Sequence, residues 1–275
     1  MLRQNPHKTL INRIMDALHE RSHGRRFFPA DVARSDEASA VLFLLGEHCE
    51  EHTVWPDPCA VFNKRSNRVR QSGDLCFPGG RIAPRLDSLL SKFLALPLFP
   101  LARWPHWSTW RNLQGEDAEY LALLFATSLR ESLEEMGLNP LGVKFLGPLP
   151  PEDLRMFDRV IYPMVGWIGR QRHFLLNWEV ERIVYTPIRD LLNPENYACY
   201  RLNMAPRGEA GSVEETRDFP CFRHKAHDGE EILWGATYRI VMVFLELVYG
   251  FKAPNLDKLP IIYGYLDKRY FSRGE

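Results

Sequence analysis

The sequence lacks a surplus of charge of either sign. Its 275 residues include 35 lysines and arginines and 35 aspartates and glutamates, so the formal net charge is zero. A neutral chain does not provide the broad basic surface that nucleic acids or acidic membranes select, so neither is expected as a partner. The apolar fraction of 45% and the charged fraction of 25% are typical of a globular protein.

Paired cysteines and long apolar runs are also missing. The five cysteines are scattered without the spacing of a zinc site, so we expect reduced, structural thiols. The apolar stretch Leu89–Ala102 is shorter than the roughly 20 residues needed to span a bilayer, and Lys92, Pro97 and Pro100 interrupt it. The residues after Met1 show no secretory signal. These absences favour a cytoplasmic enzyme.

Apolar periodicity divides the chain into helices and strands. Helices are predicted at Lys8–His23, Glu116–Met136, Ile188–Leu192 and Ile232–Tyr249. Strands are predicted at Ala38–Leu45, Cys59–Asn63, Leu75–Phe77, Val143–Leu146, Val160–Ile168 and Glu181–Tyr185. Strands on both sides of a central helix indicate an α/β fold with a mixed sheet between helices. We expect an N-terminal helical extension over residues 1–35, a main domain over 36–250 and a C-terminal tail over 251–275.

Residues 83–115 form a segment rich in leucine, proline and tryptophan inside the main domain. Trp104, Trp107 and Trp110 recur every third residue. One interpretation is a lid or wall over an apolar arm of a substrate, because long loops in compact domains are often functional. The alternative is additional packing or a subunit contact, and the latter would make the protein a homodimer.

Three glutamates cluster near the end of the long predicted helix. Glu131 and Glu135 are one helical turn apart and Glu134 lies beside them, with Gly137 placed as the C-cap. Like charges at this spacing destabilise a helix by roughly 0.2–0.5 kcal/mol per pair, so a cation is expected to offset the repulsion. Carboxylate oxygens suit Mg²⁺ or Mn²⁺, and the three glutamates are the predicted ligands. A solvated acidic helix face is the alternative interpretation.

The segment Arg130–Leu138 resembles the second half of the Nudix hydrolase signature, Arg-Glu-apolar-x-Glu-Glu-x-Gly-apolar. The first half of that signature begins at Gly80, but the acid that should follow is missing from both expected registers. Asp87, Asp117 and Glu119 are the candidates for its place. The resemblance implies an α/β/α sandwich and hydrolysis of a diphosphate bridge in a nucleotide-type small molecule.

The residues before Gly80 resemble a second signature, which belongs to the coenzyme A diphosphatase branch of the Nudix family. The matching positions are Arg65-Ser66, Arg70, Gly73 and Phe77-Pro78-Gly79-Gly80. The later segments Asn177–Ile188 and Ile232–Ile240 are similar to further stretches of this branch.

The resemblance also implies roles for single residues. Glu131, Glu134 and Glu135 would bind the metal, and Arg130 would orient a neighbouring carboxylate. The general base would be Glu135, Glu179 or Glu181. The substrate phosphates would be bound by arginine forks and by a tight glycine turn, at Arg65, Arg70, Gly79, Gly80 and Arg81.

Three functional hypotheses follow. The first is a coenzyme A or acyl-coenzyme A diphosphatase. The second is a Nudix hydrolase for another substrate, such as ADP-ribose, NADH or a nucleoside triphosphate. The third is a catalytically silent Nudix domain used for binding or regulation, which the intact glutamate cluster disfavours.

Overall fold

The computed structural model describes residues 7–22, 26–30, 32, 37–48, 57–113, 115–154, 159–169, 171, 173–204, 215–226, 229–266 and 270. Its helices are α1 (Lys8–Ser22), α2 (Pro84–Leu94), α3 (Trp107–Leu113), α4 (Gly115–Met136), α5 (Ile188–Leu191) and α6 (Gly235–Tyr249). Its strands are β1 (Ala38–His48), β2 (Asp57–Arg65), β3 (Leu75–Cys76), β4 (Gly79–Arg81), β5 (Val143–Pro148), β6 (Glu152–Leu154), β7 (Arg159–Ile168), β8 (Val180–Pro187), β9 (Tyr197–Met204), β10 (Glu215–Ala226), β11 (Gly229–Leu233) and β12 (Ile261–Leu266).

Eight of the described strands form one mixed sheet. Its main order is β3-β2-β1-β7-β5, with β4 paired to β1, β6 to β7 and β8 to β2. Only β1 and β7 run parallel within this sheet. Strand β1 is fully apolar over Leu42–Leu45 because it is central and buried on both faces. The predicted mixed α/β fold is confirmed.

Two long helices pack on this sheet. Helix α4 contacts β1, β4 and β7, and Gly137, with a φ of 63°, ends it in the left-handed conformation expected of a C-cap. Helix α6 reaches the sheet through Phe244, whose ring centroid lies 4.7 Å from that of Phe43 in β1. Among the described residues, no helix has the length and apolar character needed to cross a membrane.

A second sheet of four strands, in the order β11-β10-β9-β12, was not predicted from the sequence. The predicted helix Ile232–Tyr249 is therefore wrong in its first turn, because Ile232 and Leu233 end strand β11. Gly235, with a φ of 66°, turns the chain from that strand into α6. Residues 251–275, expected as a tail, contribute β12, which pairs in parallel with β9. The domain boundaries themselves remain predictions.

The segment over residues 83–115 contains α2 and α3, which pack against α4. Trp104, Trp107 and Trp110 are all buried in the main core, so the packing interpretation describes them and the lid interpretation does not. Leu89 and Phe93 of α2 remain 54% and 47% exposed. A homodimer contact through this face stays a prediction.

The four described cysteines are free thiols. The fifth, Cys49, lies outside the described residues.

Candidate functional site

The carboxylates of α4 meet the glycine strand β4. The Glu135 carboxylate accepts hydrogen bonds from the Gly79 backbone N–H (3.2 Å) and from Asn63 Nδ2 (2.8 Å). Glu131 lies against Gly80 so closely that a Cβ added there would be 2.4 Å from Glu131 Oε1. A larger residue at position 80 would displace this carboxylate.

Burial changes the proton affinity of these carboxylates. Burial raises the pKa of Glu135 to about 7, the hydrogen bonds from Gly79 and Asn63 oppose that rise, and the charges of Glu131 and Glu179 add to it. Burial also raises the pKa of Glu131, and Arg130 opposes that rise. The charge of Glu179 acts on Glu135, and its role as general base stays a prediction.

Arg130 holds the acidic residues in place through several hydrogen bonds. Its Nε donates to Asp87 Oδ1 (2.7 Å), and its Nη1 donates to Glu131 Oε1 (2.9 Å) and Glu134 Oε2 (3.2 Å). Its Nη2 donates to the backbone oxygen of Arg81 (3.0 Å). The side chain thus joins α4, α2 and β4, as an orienting residue would.

Asp87 is the acid that meets Arg130. It is fully buried and also accepts hydrogen bonds from Thr127 Oγ1 (2.8 Å) and the Ala83 backbone N–H (2.7 Å). Of the other two candidates for the missing acid, Asp117 accepts hydrogen bonds from the backbone N–H groups of Phe27 and Phe28, and Glu119 is exposed. Of the three candidates, Asp87 is thus the one that contacts Arg130 of the motif.

The three predicted metal ligands are not gathered into one cluster. Within the described residues, no group of three His, Cys, Asp or Glu side chains is arranged to hold a metal ion. Glu131 and Glu134 both accept from Arg130, and the Glu134 side chain is 54% exposed. The donor chemistry nonetheless fits a hard divalent cation, because Glu131 and Glu135 are partly buried carboxylates and Asn63, which contacts Glu135, has a buried Oδ1 without a hydrogen-bond partner.

Glu181 is not brought to the other carboxylates. Its Oε1 lies 3.7 Å from Lys64 Nζ. Successive side chains of a strand point to opposite faces, so Lys64 points away from the face on which Asn63 contacts Glu135. Glu181 thus pairs with Lys64, whereas the charge of Glu179 acts on Glu135.

A cavity of about 480 Å³ adjoins the glycine strand. It is lined by residues of β1, β4, β6, β7 and β10 and by the first turn of α6. Gly79, Gly80, Arg65 and Arg159 are among its lining residues, whereas Glu131, Glu134, Glu135 and the predicted Arg70 and Arg81 are not. Gly79 and Gly80 therefore touch the cavity and also contact the carboxylates of α4.

The cavity has an aromatic and acidic corner that sequence reasoning missed. Asp74 accepts hydrogen bonds from Trp234 Nε1 (3.1 Å) and from the Tyr270 hydroxyl. Burial raises the pKa of Asp74 to about 6, although both hydrogen bonds and the charge of Arg65 oppose that rise. Trp234 and Asp74 are 160 residues apart, so no local pattern could have predicted their contact.

Comparison with known proteins gives two curated relatives of this chain. The first is Nudix hydrolase 3 of Caenorhabditis elegans, 28% identical over 169 residues, which are 60% of this chain and 54% of that protein. The second is the peroxisomal coenzyme A diphosphatase NUDT7 of Mus musculus, 26% identical over 171 residues, which are 60% of this chain and 52% of that protein. No protein-family model matches the chain.

These relatives and the Arg130–Leu138 motif support a Nudix protein. The chain spans about half the length of the curated relatives it matches, and the similarity to NUDT7 places it near the coenzyme A diphosphatase branch.

Solved structures of Nudix proteins are only distantly similar. A Nudix hydrolase from M. smegmatis, RenU, has a TM-score of 0.35 at 11% identity, over 57% of this chain and 73% of that chain. A MutT/nudix family protein from Enterococcus faecalis has a TM-score of 0.39 at 11% identity, over 90% and 76% of the two chains. The family assignment therefore rests on the sequence relatives and on the Arg130–Leu138 motif.

This Nudix protein departs from the signature at one position of that motif. The position after Arg130-Glu131, apolar in the signature, is Ser132. Ser132 is fully buried, and its hydroxyl donates to the Ser128 backbone oxygen at 2.6 Å. An internal hydrogen bond thus satisfies the polar group inside the core.

Proposed function

We propose that this Nudix protein is a metal-dependent hydrolase of the diphosphate bridge of coenzyme A or its derivatives. The products would be 3′,5′-ADP and 4′-phosphopantetheine, which carries the acyl group where one is present. The observation that carries the proposal is the position of Gly79 and Gly80, which contact the acidic side chains of α4 and also line the cavity that contains Arg65. A diphosphate at these glycines would lie between a cation site and an arginine.

The acidic residues would have different roles in the reaction. Glu131, Glu134 and Glu135 would hold Mg²⁺ or Mn²⁺, which supplies neutralisation of the phosphate oxygens and activation of water when bound. Arg130 would then be a positioning residue, because it already contacts both Glu131 and Glu134 while Asp87 fixes its own orientation.

Glu135 is the favoured general base. Its carboxylate is held by the Gly79 backbone N–H and by Asn63 Nδ2, and in the metal-free protein burial raises its pKa to about 7. Glu179 is the second candidate because its charge acts on Glu135. Glu181 is disfavoured by its position beside Lys64.

The basic residues would bind the substrate. Arg65 lines the cavity, and its Nε donates to the backbone oxygen of Arg70 at 2.8 Å, which fixes the direction of the guanidinium. Arg70 and Arg81 are exposed near the same region and would contribute charge. Gly79 and Gly80 let the backbone approach the phosphates because they present no side chain.

The proposal is tested by a hydrolysis panel with Mg²⁺ and Mn²⁺. The substrates are coenzyme A, acetyl-coenzyme A, ADP-ribose, NADH, diadenosine polyphosphates and deoxynucleoside triphosphates, with products identified by mass. We expect turnover of coenzyme A to 3′,5′-ADP. Turnover of ADP-ribose with none of coenzyme A would replace the proposal by the second hypothesis. No turnover of any substrate in either metal would favour a silent binding domain.

A matched pair of variants checks the metal role. Glu134→Gln is expected to abolish metal-dependent turnover while the thermal midpoint stays within a few degrees of wild type. Glu119→Gln, on the exposed face of the same helix, is the control and should keep wild-type activity. Wild-type activity in Glu134→Gln would remove this residue from the metal site.

The cellular setting and the partners also remain proposals. A cytoplasmic location is proposed from the sequence, whereas the name of the mouse relative assigns that protein to the peroxisome. A small nucleotide-type substrate is proposed as the ligand, with no nucleic acid and no membrane as partner. The homodimer is proposed through the exposed face of α2 and is tested by light scattering.

A further inference from the structure

The cavity contains an arginine that neither of the family signatures includes. Arg159 begins strand β7, is partly buried, and lies opposite Leu154 of β6 in the sheet register. It lines the same cavity as Arg65, which comes from the end of β2. Two guanidinium groups from distant parts of the chain therefore reach one cavity.

Arg159 lies in a field of like charge. Its pKa is lowered by burial and then by the positive charges of Arg81, Arg65 and Arg70. The charge of Asp74 acts on Arg65 and offsets part of the repulsion among these four arginines, and an anionic ligand would offset more. Positive charge is thus concentrated around Arg159, whereas negative charge is concentrated at the partly buried carboxylates of α4.

The acidic groups around the cavity do not neutralise Arg159. Within the described part of the chain, no carboxylate is within ion-pairing distance of the Arg159 guanidinium. Glu152 pairs with Arg239 at 2.6 Å, and Asp74 accepts its hydrogen bonds from Trp234 and Tyr270. Asp153, which also lines the cavity, is exposed and has a partner of its own.

The geometry points to a subsite in which Arg159 and Arg65 bind a phosphate monoester of the substrate, separate from the scissile diphosphate. The cavity volume of about 480 Å³ is within the range of small-ligand sites. A dianionic phosphate accepts paired hydrogen bonds from an arginine fork and offsets the repulsion among the arginines. This inference rests on the proposed function only for the identity of the whole substrate.

Direct binding tests the subsite without any turnover. 3′,5′-ADP, 5′-AMP and inorganic phosphate are titrated calorimetrically into the metal-free full chain. Wild type is expected to bind 3′,5′-ADP about ten-fold more tightly than 5′-AMP, since a hydrogen bond to a charged group contributes on that order. In Arg159→Gln the difference should fall to about two-fold or less. Inorganic phosphate that binds as tightly as 3′,5′-ADP would show a free-phosphate site rather than a nucleotide subsite and would overturn the inference.

Two further variants serve as controls for the binding experiment. Arg159→Lys retains the charge but not the fork, and should keep an intermediate preference of about three-fold even if Arg159→Gln fails to fold. Arg111→Gln, an exposed arginine on α3 outside this cavity, is the control and should bind like wild type. A wild type that binds both nucleotides equally, or an Arg159→Lys variant with the full preference, would overturn the subsite.

A kinetic experiment separates this inference from the proposed function. Coenzyme A and dephospho-coenzyme A differ by one phosphate monoester. Arg159→Gln should raise KM for coenzyme A about ten-fold, leave KM for dephospho-coenzyme A unchanged and leave both kcat values within about two-fold. If Arg159→Gln changes KM equally for both substrates, the subsite is contradicted while the hydrolase activity stands. If the protein binds 3′,5′-ADP through Arg159 but hydrolyses neither coenzyme A nor dephospho-coenzyme A, the subsite stands and the proposed hydrolase activity is contradicted.

Discussion

The two sides of strand β4 carry charge of opposite sign. On the α4 side, Glu131 and Glu135 are partly buried carboxylates with raised pKa values. On the cavity side, Arg159 is a partly buried guanidinium whose pKa is lowered by burial and by three other arginines. Like charges that are held together destabilise the empty protein, and each side is stabilised by a ligand of opposite charge. A cation and a phosphate would therefore meet at the glycine strand.

The two sides are formed by different parts of the chain. The acidic side comes from one helix and from Arg130 within it, and only Asp87, Asn63 and the glycines come from elsewhere. The basic side collects residues from β2, β7 and the C-terminal region around Tyr270. The acidic side therefore depends mainly on helical spacing, with contacts from β2 and β4, whereas the basic side depends on the sheet register.

The largest expected effect is on the acidic side. Asp87→Ala would remove the buried partner of Arg130, whose side chain is 10% exposed, and should lower the free energy of unfolding by about 3 kcal/mol. Urea denaturation measures the change, with Glu119→Gln as the unaffected control. A change below about 0.5 kcal/mol would mean that Glu131 and Glu134 alone compensate Arg130.

The next effect is on the basic side and depends on pH. Because the folded state raises the pKa of Asp74 from 3.8 to about 6, it holds this proton more tightly than the unfolded chain. The stabilising effect is complete below pH 3.8 and is lost as the pH rises through about 6. Relative to Asp74→Asn, wild type should lose about 2 kcal/mol over this interval, with allowance for partial exposure.

Paired denaturation curves at pH 4 and pH 7.5 measure this loss. Asp153→Asn, an exposed carboxylate of the same cavity, is the comparison variant. A stability difference between wild type and Asp74→Asn that does not change with pH would mean that Asp74 stays ionised in the folded state.

Gly80→Ala should change stability less and should affect the acidic side without affecting the cavity side. Gly80→Ala places a methyl group 2.4 Å from Glu131 Oε1, and the flexible carboxylate would swing away at a cost of about 1 kcal/mol. Metal-dependent turnover should fall strongly while binding of 3′,5′-ADP stays at the wild-type level. Equal losses in turnover and in nucleotide binding would show that the two sides are one inseparable site.

The smallest effect is expected for a substitution of Glu181, which belongs to neither side. Glu181→Gln removes a half-exposed ion pair with Lys64 and should change stability by less than about 0.5 kcal/mol. Its kcat should match wild type, whereas Glu135→Gln should lose most activity. A loss of about a hundred-fold in Glu181→Gln would instead identify Glu181 as the general base.

Much of the first sheet and of the acidic side could be predicted from the sequence. The helix Glu116–Met136, the predicted strands of the first sheet and the C-cap at Gly137 follow from local periodicity and from glycine chemistry. The second sheet could not be predicted, because β9 and β12 pair across more than fifty residues. The tryptophans of residues 83–115 were ambiguous because a spacing of three serves a lid and a core equally well.

The sequence by itself determined the resemblance to the Nudix family and the acidic motif, since both depend on residues that are close together along the chain. The tertiary structure decided that Asp87 is the acid beside Arg130, that Glu181 pairs with Lys64, and that Arg159 shares a cavity with Arg65. These three results depend on strand register and on contacts between distant segments. Burial and charge repulsion act through space, so only the folded chain reveals which groups they join.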